Sequence, residues 1–203
     1  RLIMAFEQRG RSGGSRKRSS GFSPSRGSDD ESTESKPARE KKPPTPDRLE
    51  QRARNVLLHQ LARSAKSTHQ LRKILENREI PSEIAERVLE RFTEVGLIDD
   101  AAYAETIVNS RRNFKGLSKS AIKRELNEKG VPAPLIESAI ESISAEDDFE
   151  AAKELAARRI RQMSSLTREV RERRLAGYLG RKGYPSSVVF AAIKFAESQI
   201  ETV

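Results

Sequence analysis

Three stretches of the chain, "LENREIPSEIAERVLERF", "LNEKGVPAPLIESAIESI" and "LGRKGYPSSVVFAAIKFA", are variants of one another. Leu75, Leu126 and Leu179 each stand six residues before a proline (Pro81, Pro132, Pro185), and they recur after 51 and then 53 residues. Behind each proline, apolar side chains fall at offsets of +3, +7, +8 and +11. They are Ile84, Val88, Leu89 and Phe92; Leu135, Ala139, Ile140 and Ile143; Val188, Ala192, Ile193 and Ala196. That spacing is one face of an α-helix. A repeat of this period makes each copy one supersecondary unit that buries its core locally and stacks on its neighbours.

The proline follows from the same geometry: its fixed φ and missing N–H suit a first helical turn and nothing deeper. Two residues before it, Gly130 and Gly183 stand where a left-handed helix stop is expected. The first copy has Glu79 there, so its turn must differ or be strained. A further helix leads each pair, in "ARNVLLHQLARS", "AAYAETIVNSRR" and "EAAKELAARRIRQM". The expectation is an all-α fold: three tandem three-helix repeat units, 47–98, 99–147 and 148–203, forming an elongated, curved array. No segment reads as a strand.

Residues 1–46 have another texture, "RSGGSRKRSSGFSPSRGSDDESTESKPAREKKPPTP", with too few apolar side chains to offset the entropy of ordering. A disordered N-terminal tail is expected there. "RKRSS" could touch nucleic acid and "KKPPTP" could be a polyproline ligand, but a solvated tail ending in a semi-rigid linker is favoured.

Composition removes several function classes. There is no Cys, which excludes disulfides and thiolate metal sites and makes a reducing compartment the expectation. No apolar run reaches the roughly 18 residues of a membrane span, and "LIMAF" is shorter than the apolar region of a secretory signal. A cytoplasmic protein with no membrane partner is expected. The two histidines, His59 and His69, stand on different helices without the i, i+4 partner a helical zinc site needs, and are read as surface residues. Phosphate-cradling glycine loops are absent, and two histidines leave a Ser–His–acid triad little to draw on. No catalytic residue, metal or cofactor is expected, and the protein is read as not an enzyme.

The net charge of +9 is unevenly placed. Residues 1–50 carry +4 and residues 151–203 carry +6, while 51–100 and 101–150 carry +1 and −2. A cationic end raises encounter rates with acidic or phosphate-rich partners. In the third unit Arg158, Arg159, Arg161, Arg168, Arg171, Arg173, Arg174, Arg181 and Lys182 cluster. On a helix starting near Arg168, Arg171 and Arg174 share its side, leaving Val170, Leu175, Tyr178 and Leu179 for the core. Such a face can bind phosphates or a carboxylate-lined groove, though Glu169 and Glu172 interleave. Arg63, Lys66, Arg72 and Lys73 form a smaller set, for which solvation alone is the simpler reading.

"VGLIDDAAYA" poses a separate choice, since Asp99 and Asp100 could be a catalytic pair or a helix start. Adjacent helical residues point about 100° apart, which suits neither a shared metal nor a shared proton. Asp is a preferred N-cap, and its charge is favoured at a helix's positive end. The doublet is read as the start of the second unit, with Tyr103 covering the joint.

These residues together resemble the RecX family of bacterial regulators of the recombinase RecA, from about residue 50 to 200. "LARSAKSTHQL" is similar to the family's apolar helix ending in a basic-Ser turn, with Arg63, Lys66, Ser67 and Leu71. The most specific stretch is "GLIDDAAYAETIVNSRRNFKGLSKSAIKRELNEKGV", in which Ile98, Asp99, Asp100, Tyr103, Ala104, Arg111, Gly116, Ile122, Glu125, Leu126, Lys129 and Gly130 match its signature. "YLGRKGYP", with Gly183, is similar to its closing turn. Gln70, Ser64 and Glu79 depart from Glu, a second Arg and Gly. Asp99, Asp100, Tyr103, Gly116, Glu125, Leu126, Gly130 and Gly183 are taken as structural members of the motif.

The resemblance implies a monomeric protein that lies in the groove of the RecA–DNA filament. There it restrains ATP hydrolysis, strand exchange and coprotease activity, in recombination, DNA repair and the SOS response. Candidate contacts are Arg63, Lys66, Arg72, Lys73, Arg111, Arg112, Lys115, Arg158, Arg159, Arg168, Arg171, Arg174, Arg181 and Lys182. The competing reading is a sequence-independent nucleic-acid-binding module touching single- or double-stranded DNA through phosphates. "PSEIAE", "PAPLIES" and "PSSVVFA" offer no side chains for reading base edges.

Overall fold

A computed structural model describes residues 45–201. The expectation for the tail therefore lies outside the described residues, apart from Thr45 and Pro46, and Pro46 already opens the first helix. Among the described residues there are nine α-helices and no strand. The first three are α1 Pro46–Arg63, α2 Thr68–Glu76 and α3 Ser82–Glu94. Then come α4 Asp100–Ser110, continued by a π-helical turn Arg111–Lys115, α5 Lys119–Glu128 and α6 Ala133–Ile140. The last are α7 Ala145–Ile160, continued by a 3-10 turn Arg161–Met163, α8 Arg168–Arg181 and α9 Ser186–Glu201.

The repeat organises the cores. Leu75, Leu126 and Leu179 are each fully buried, and each sits in a separate apolar cluster. Leu75 packs among Leu57, Leu71, Val88, Leu89 and Phe92. Leu126 packs among Ala104, Val108, Ile122, Ile136 and Ile140. Leu179 packs among Ala156, Ile160, Leu175, Ala192 and Ala196. Full burial of one leucine stabilises by about 1.5–3 kcal/mol, so each cluster draws its cohesion from a few such side chains.

The three helix–helix turns are built alike. Ile80, Val131 and Tyr184 donate their N–H to the carbonyls of Leu75, Leu126 and Leu179, at 3.1, 3.1 and 3.3 Å. A bond five residues back, around one left-handed residue, is a Schellman stop. Gly130 and Gly183 are left-handed at φ 71° and 86°. Glu79 takes the same conformation at φ 58°. Of the two outcomes open for the first turn, it is strained rather than different, at a cost of about 1 kcal/mol.

Glycine has a second role in the later copies, because each of those turns docks on the preceding unit. A Cβ on Gly130 would overlap the His69 ring, and one on Gly183 would lie 2.5 Å from Ala121 Cβ and 2.8 Å from Ser118 Oγ. His69 is thus half-buried at a joint rather than a surface residue, whereas His59 is exposed.

Buried serines fix the docking. Ser67 caps α2 by accepting from Gln70 N–H, and donates its hydroxyl to the Lys129 carbonyl at 2.5 Å. Ser118, 51 residues on, caps α5 by accepting from Ala121 N–H, and donates to the Gly183 carbonyl at 2.7 Å. An aspartate from the following unit completes each joint: Thr68 N–H donates to Asp100 Oδ1 at 2.8 Å, and Lys119 N–H donates to Asp148 at 3.1–3.2 Å. The second joint gains Ser118 N–H to the Lys182 carbonyl at 3.0 Å, Lys182 Nζ to the Lys115 carbonyl, and Tyr184 Oη to the Gly116 carbonyl at 3.2 Å. Ser144 and Asp147 form the capping box that opens α7 at Ala145, ahead of residue 148.

Candidate functional site

The cations sort by whether the fold has already used them. Arg111, on the π-helical turn, forks onto Glu125 of α5, Nε to Oε2 at 2.7 Å and Nη2 to Oε1 at 2.5 Å. Both are largely buried, and the hydrogen bonds from Arg111 hold the Glu125 carboxyl below its ordinary range. Arg112 pairs with Asp148 of α7, so consecutive arginines tie the turn to two different helices. Arg171 forks onto Glu197 of α9, with Nε to Oε1 at 3.0 Å and Nη1 donating to the Leu166 carbonyl at 2.8 Å. Arg72 forks onto Glu86 on the surface, and Lys123–Glu137, 51 residues later, is the same pair again.

The proposed arginine face of α8 is therefore divided. Arg171 turns inward, Arg168 lies along its own helix against Glu172 at 2.9 Å, and Arg174 is exposed. Elsewhere, Lys66 Nζ donates to Ser64 Oγ at 2.9 Å, and Arg63, Lys73 and Lys115 project into solvent.

The remaining cations gather in the third unit. Arg158, Arg161, Arg173, Arg174 and Arg181 are exposed, and among the described residues no acidic group lies within ion-pair distance of any of them. A groove of about 440 Å³ is lined by Arg159, Arg173, Arg174 and Arg181, with Gln162 and Tyr178. Arg159 donates to Gln162 Oε1 at 2.7 Å. The Tyr178 ring lies 5.8 Å from the Arg159 guanidinium and 5.1 Å from Lys182 Nζ, a cation–π arrangement. Arg181 also lines a second cleft, of about 590 Å³, with Lys115, Arg124 and Lys129 of the middle unit. Through Arg181 and the Lys182–Lys115 link, the cationic surface runs on from α7 and α8 to the π-helical turn.

The Asp doublet resolves into two caps. Asp99 accepts from the N–H groups of Ala101 and Ala102, both at 2.9 Å, while Asp100 reaches back to Thr68. Tyr103 is buried and donates to Gln70 Oε1 across the same joint at 3.2 Å. Among the described residues no group of His, Asp and Glu is arranged to hold a metal ion. The arrangement offers charge, shape and hydrogen-bond donors, which is what a binding surface needs.

Sequence reasoning missed Ser118, Asp148, Arg124 and Phe114. Aligning the repeats would have flagged Ser118 through Ser67, Arg124 through Lys73 and Asp148 through Asp100, and would have left Phe114 unmarked.

The fold and surface define a tandem three-helix repeat protein that presents a cationic face. The chain belongs to the RecX family: family models for the first, second and third RecX three-helix domains match residues 53–92, 99–140 and 146–193. It is 44% identical over 157 residues to the regulatory protein RecX of Streptomyces coelicolor, covering 77% of this chain and 83% of that protein. It is 38% identical over 149 residues to that of Thermobifida fusca, covering 73% and 80%. Among solved structures, RecX from Lactobacillus salivarius superposes with a TM-score of 0.63 at 19% identity, over 73% of this chain and 97% of that one. A second crystal structure, of a regulatory protein RecX, gives 0.61 at 28% identity over 73% of each.

Proposed function

We propose that this protein regulates RecA by lying in the groove of the RecA–DNA filament, where it restrains ATP hydrolysis, strand exchange and coprotease activity. Recombination, DNA repair and the SOS response are the processes so damped. The observation that carries the reading is family membership across all three units, beside a set of third-unit arginines with no acidic partner among the described residues.

Three linked units contacting successive subunits gain avidity without a deep pocket. Cations with no acidic partner among the described residues gain most from an acidic protein surface or phosphate, since no ion pair must be broken to engage them. Arg158, Arg159, Arg174, Arg181, Lys182 and Lys115 are the contacts proposed, with Arg63, Lys66 and Lys73 at the other end. Arg111, Arg112 and Arg171 serve by holding the surface in shape. The protein acts as a monomer in the cytoplasm, as a binder rather than a catalyst.

The test is a titration of the full chain into RecA on single-stranded DNA. Suppression of ATP hydrolysis at substoichiometric ratios is expected. RecA activity untouched at saturating protein overturns the proposal.

A further inference from the structure

We infer that the cationic surface joining α7, α8 and the π-helical turn is a track for single-stranded nucleic acid, with Phe114 as the ring on which an unpaired base stacks. The starting point is the turn Arg111–Lys115. Its side chains and backbone are held from several directions: Arg111 by Glu125, Arg112 by Asp148, the Lys115 carbonyl by Lys182 and the Gly116 carbonyl by Tyr184. Gly116, left-handed at φ 58°, sits where a Cβ would lie 3.0 Å from Leu155 Cδ1 of α7. So much fixing leaves Phe114 88% exposed at the crest of the turn.

A lone exposed apolar side chain is ordinary. A ring held out on a pedestal locked from both neighbouring helices is different, because little further ordering is lost when a ligand meets it. π-Helical turns inside helices also recur at functional sites.

The surroundings select the ligand. The buried core of a protein–protein patch is depleted of charged side chains, lysine among them. Phe114 instead stands between Asn113 and Lys115, and Lys115 opens directly onto the cleft with Arg124, Lys129 and Arg181. Glu125, already held by Arg111 and Lys129, and Glu128 are the acidic members of that lining. From Lys115 the cations continue through Lys182 and Tyr178 to Arg159, Arg173 and Arg174. A ligand fitting that order alternates a flat apolar face with a run of anionic groups. Single-stranded nucleic acid has that chemistry, with bases on aromatic rings and phosphates along a basic groove. In a duplex the base faces are already stacked and cannot meet the ring.

The inference deepens the regulatory reading by naming a partner for its cationic surface, and rests on it for no observation; the test contains no RecA. The chain has no tryptophan, so Phe114→Trp installs a single fluorescent reporter. A short oligothymidine is expected to quench that emission saturably, and a duplex of equal length is not. Phe114→Ala, with unchanged far-UV circular dichroism, is expected to weaken oligothymidine binding on the order of tenfold and duplex binding far less. Oligothymidine that binds by anisotropy without changing the tryptophan emission overturns the inference, as does absence of binding at low salt or equal loss on duplex. A tryptophan that responds to RecA alone and not to oligothymidine assigns Phe114 to a protein contact, and overturns it too. Each of these failures leaves the ATPase test of the regulatory reading standing.

Discussion

Ser118 donates its hydroxyl to the carbonyl oxygen of Gly183 at 2.7 Å, joining residues 65 apart in the chain. Ser118 Oγ also accepts from Ala121 N–H, so one buried atom caps α5 and holds the third unit's turn against the second. Ser118→Ala removes the cap and leaves a carbonyl at the joint without that donor. A loss of about 2–3 kcal/mol is expected, measured as a shift in the urea midpoint of the full chain.

The three left-handed turns predict opposite signs for glycine exchanges. Glu79 is exposed and sits at φ 58°, so Glu79→Gly relieves strain and stabilises by about 0.5–1 kcal/mol. Gly130→Ala and Gly183→Ala add both backbone strain and a collision with the preceding unit. Each costs about 2 kcal/mol or more, because both collisions include a Cβ that side-chain rotation cannot move, His69 Cβ at 2.5 Å from the one and Ala121 Cβ at 2.5 Å from the other. His69→Ala should recover part of the Gly130→Ala loss and none of the Gly183→Ala loss. Denaturation of the single and double variants measures both.

The helices, the repeat and the core face were legible because they are local: Leu75, Leu126 and Leu179 announce themselves by spacing, and the turns follow from proline and glycine. The choice among arginines was not. Arg171 and Arg174 look equivalent along α8, and only the fold brings Glu197, 26 residues on, against the first of them. Glu197 itself lies on the buried side of α9 next to Ala196, its side chain 3% exposed. Charge patterning within a helix reveals neighbours at i+3 and i+4 and says nothing about partners brought in from another helix. Phe114 was passed over for a related reason, since exposure of an aromatic is a property of the fold and not of the residue.

Acid should loosen the middle unit through the Arg111–Glu125 fork. The hydrogen bonds from Arg111 hold the folded Glu125 carboxyl below its ordinary 4.5. Its contribution is then complete above that ordinary value and is lost as the pH falls through the lower, folded one. The melting temperature of the wild type is expected to drop more steeply than that of Glu125→Gln between neutral pH and pH values below the ordinary carboxylate range. Parallel curves for the two proteins would remove Glu125 from the account of acid sensitivity.

Arg171 and the pair Arg173–Arg174 should separate stability from binding. Arg171→Ala leaves Glu197 with a buried charge and no partner, so thermal stability falls, and binding measured well below the new melting temperature changes little. Arg173→Ala with Arg174→Ala removes two exposed cations that have no acidic partner among the described residues, so the melting temperature holds while affinity falls. For single-stranded DNA each neutralised phosphate contributes about 0.7 to the slope of log K against log salt, so the double variant should flatten it by about 1.4. The matching readout on RecA is a rightward shift of the ATPase titration for the double variant, with full suppression still reached at higher protein. An unchanged salt slope and an unchanged ATPase titration would assign those two arginines to solvent, and would move the binding surface away from the groove in the third unit.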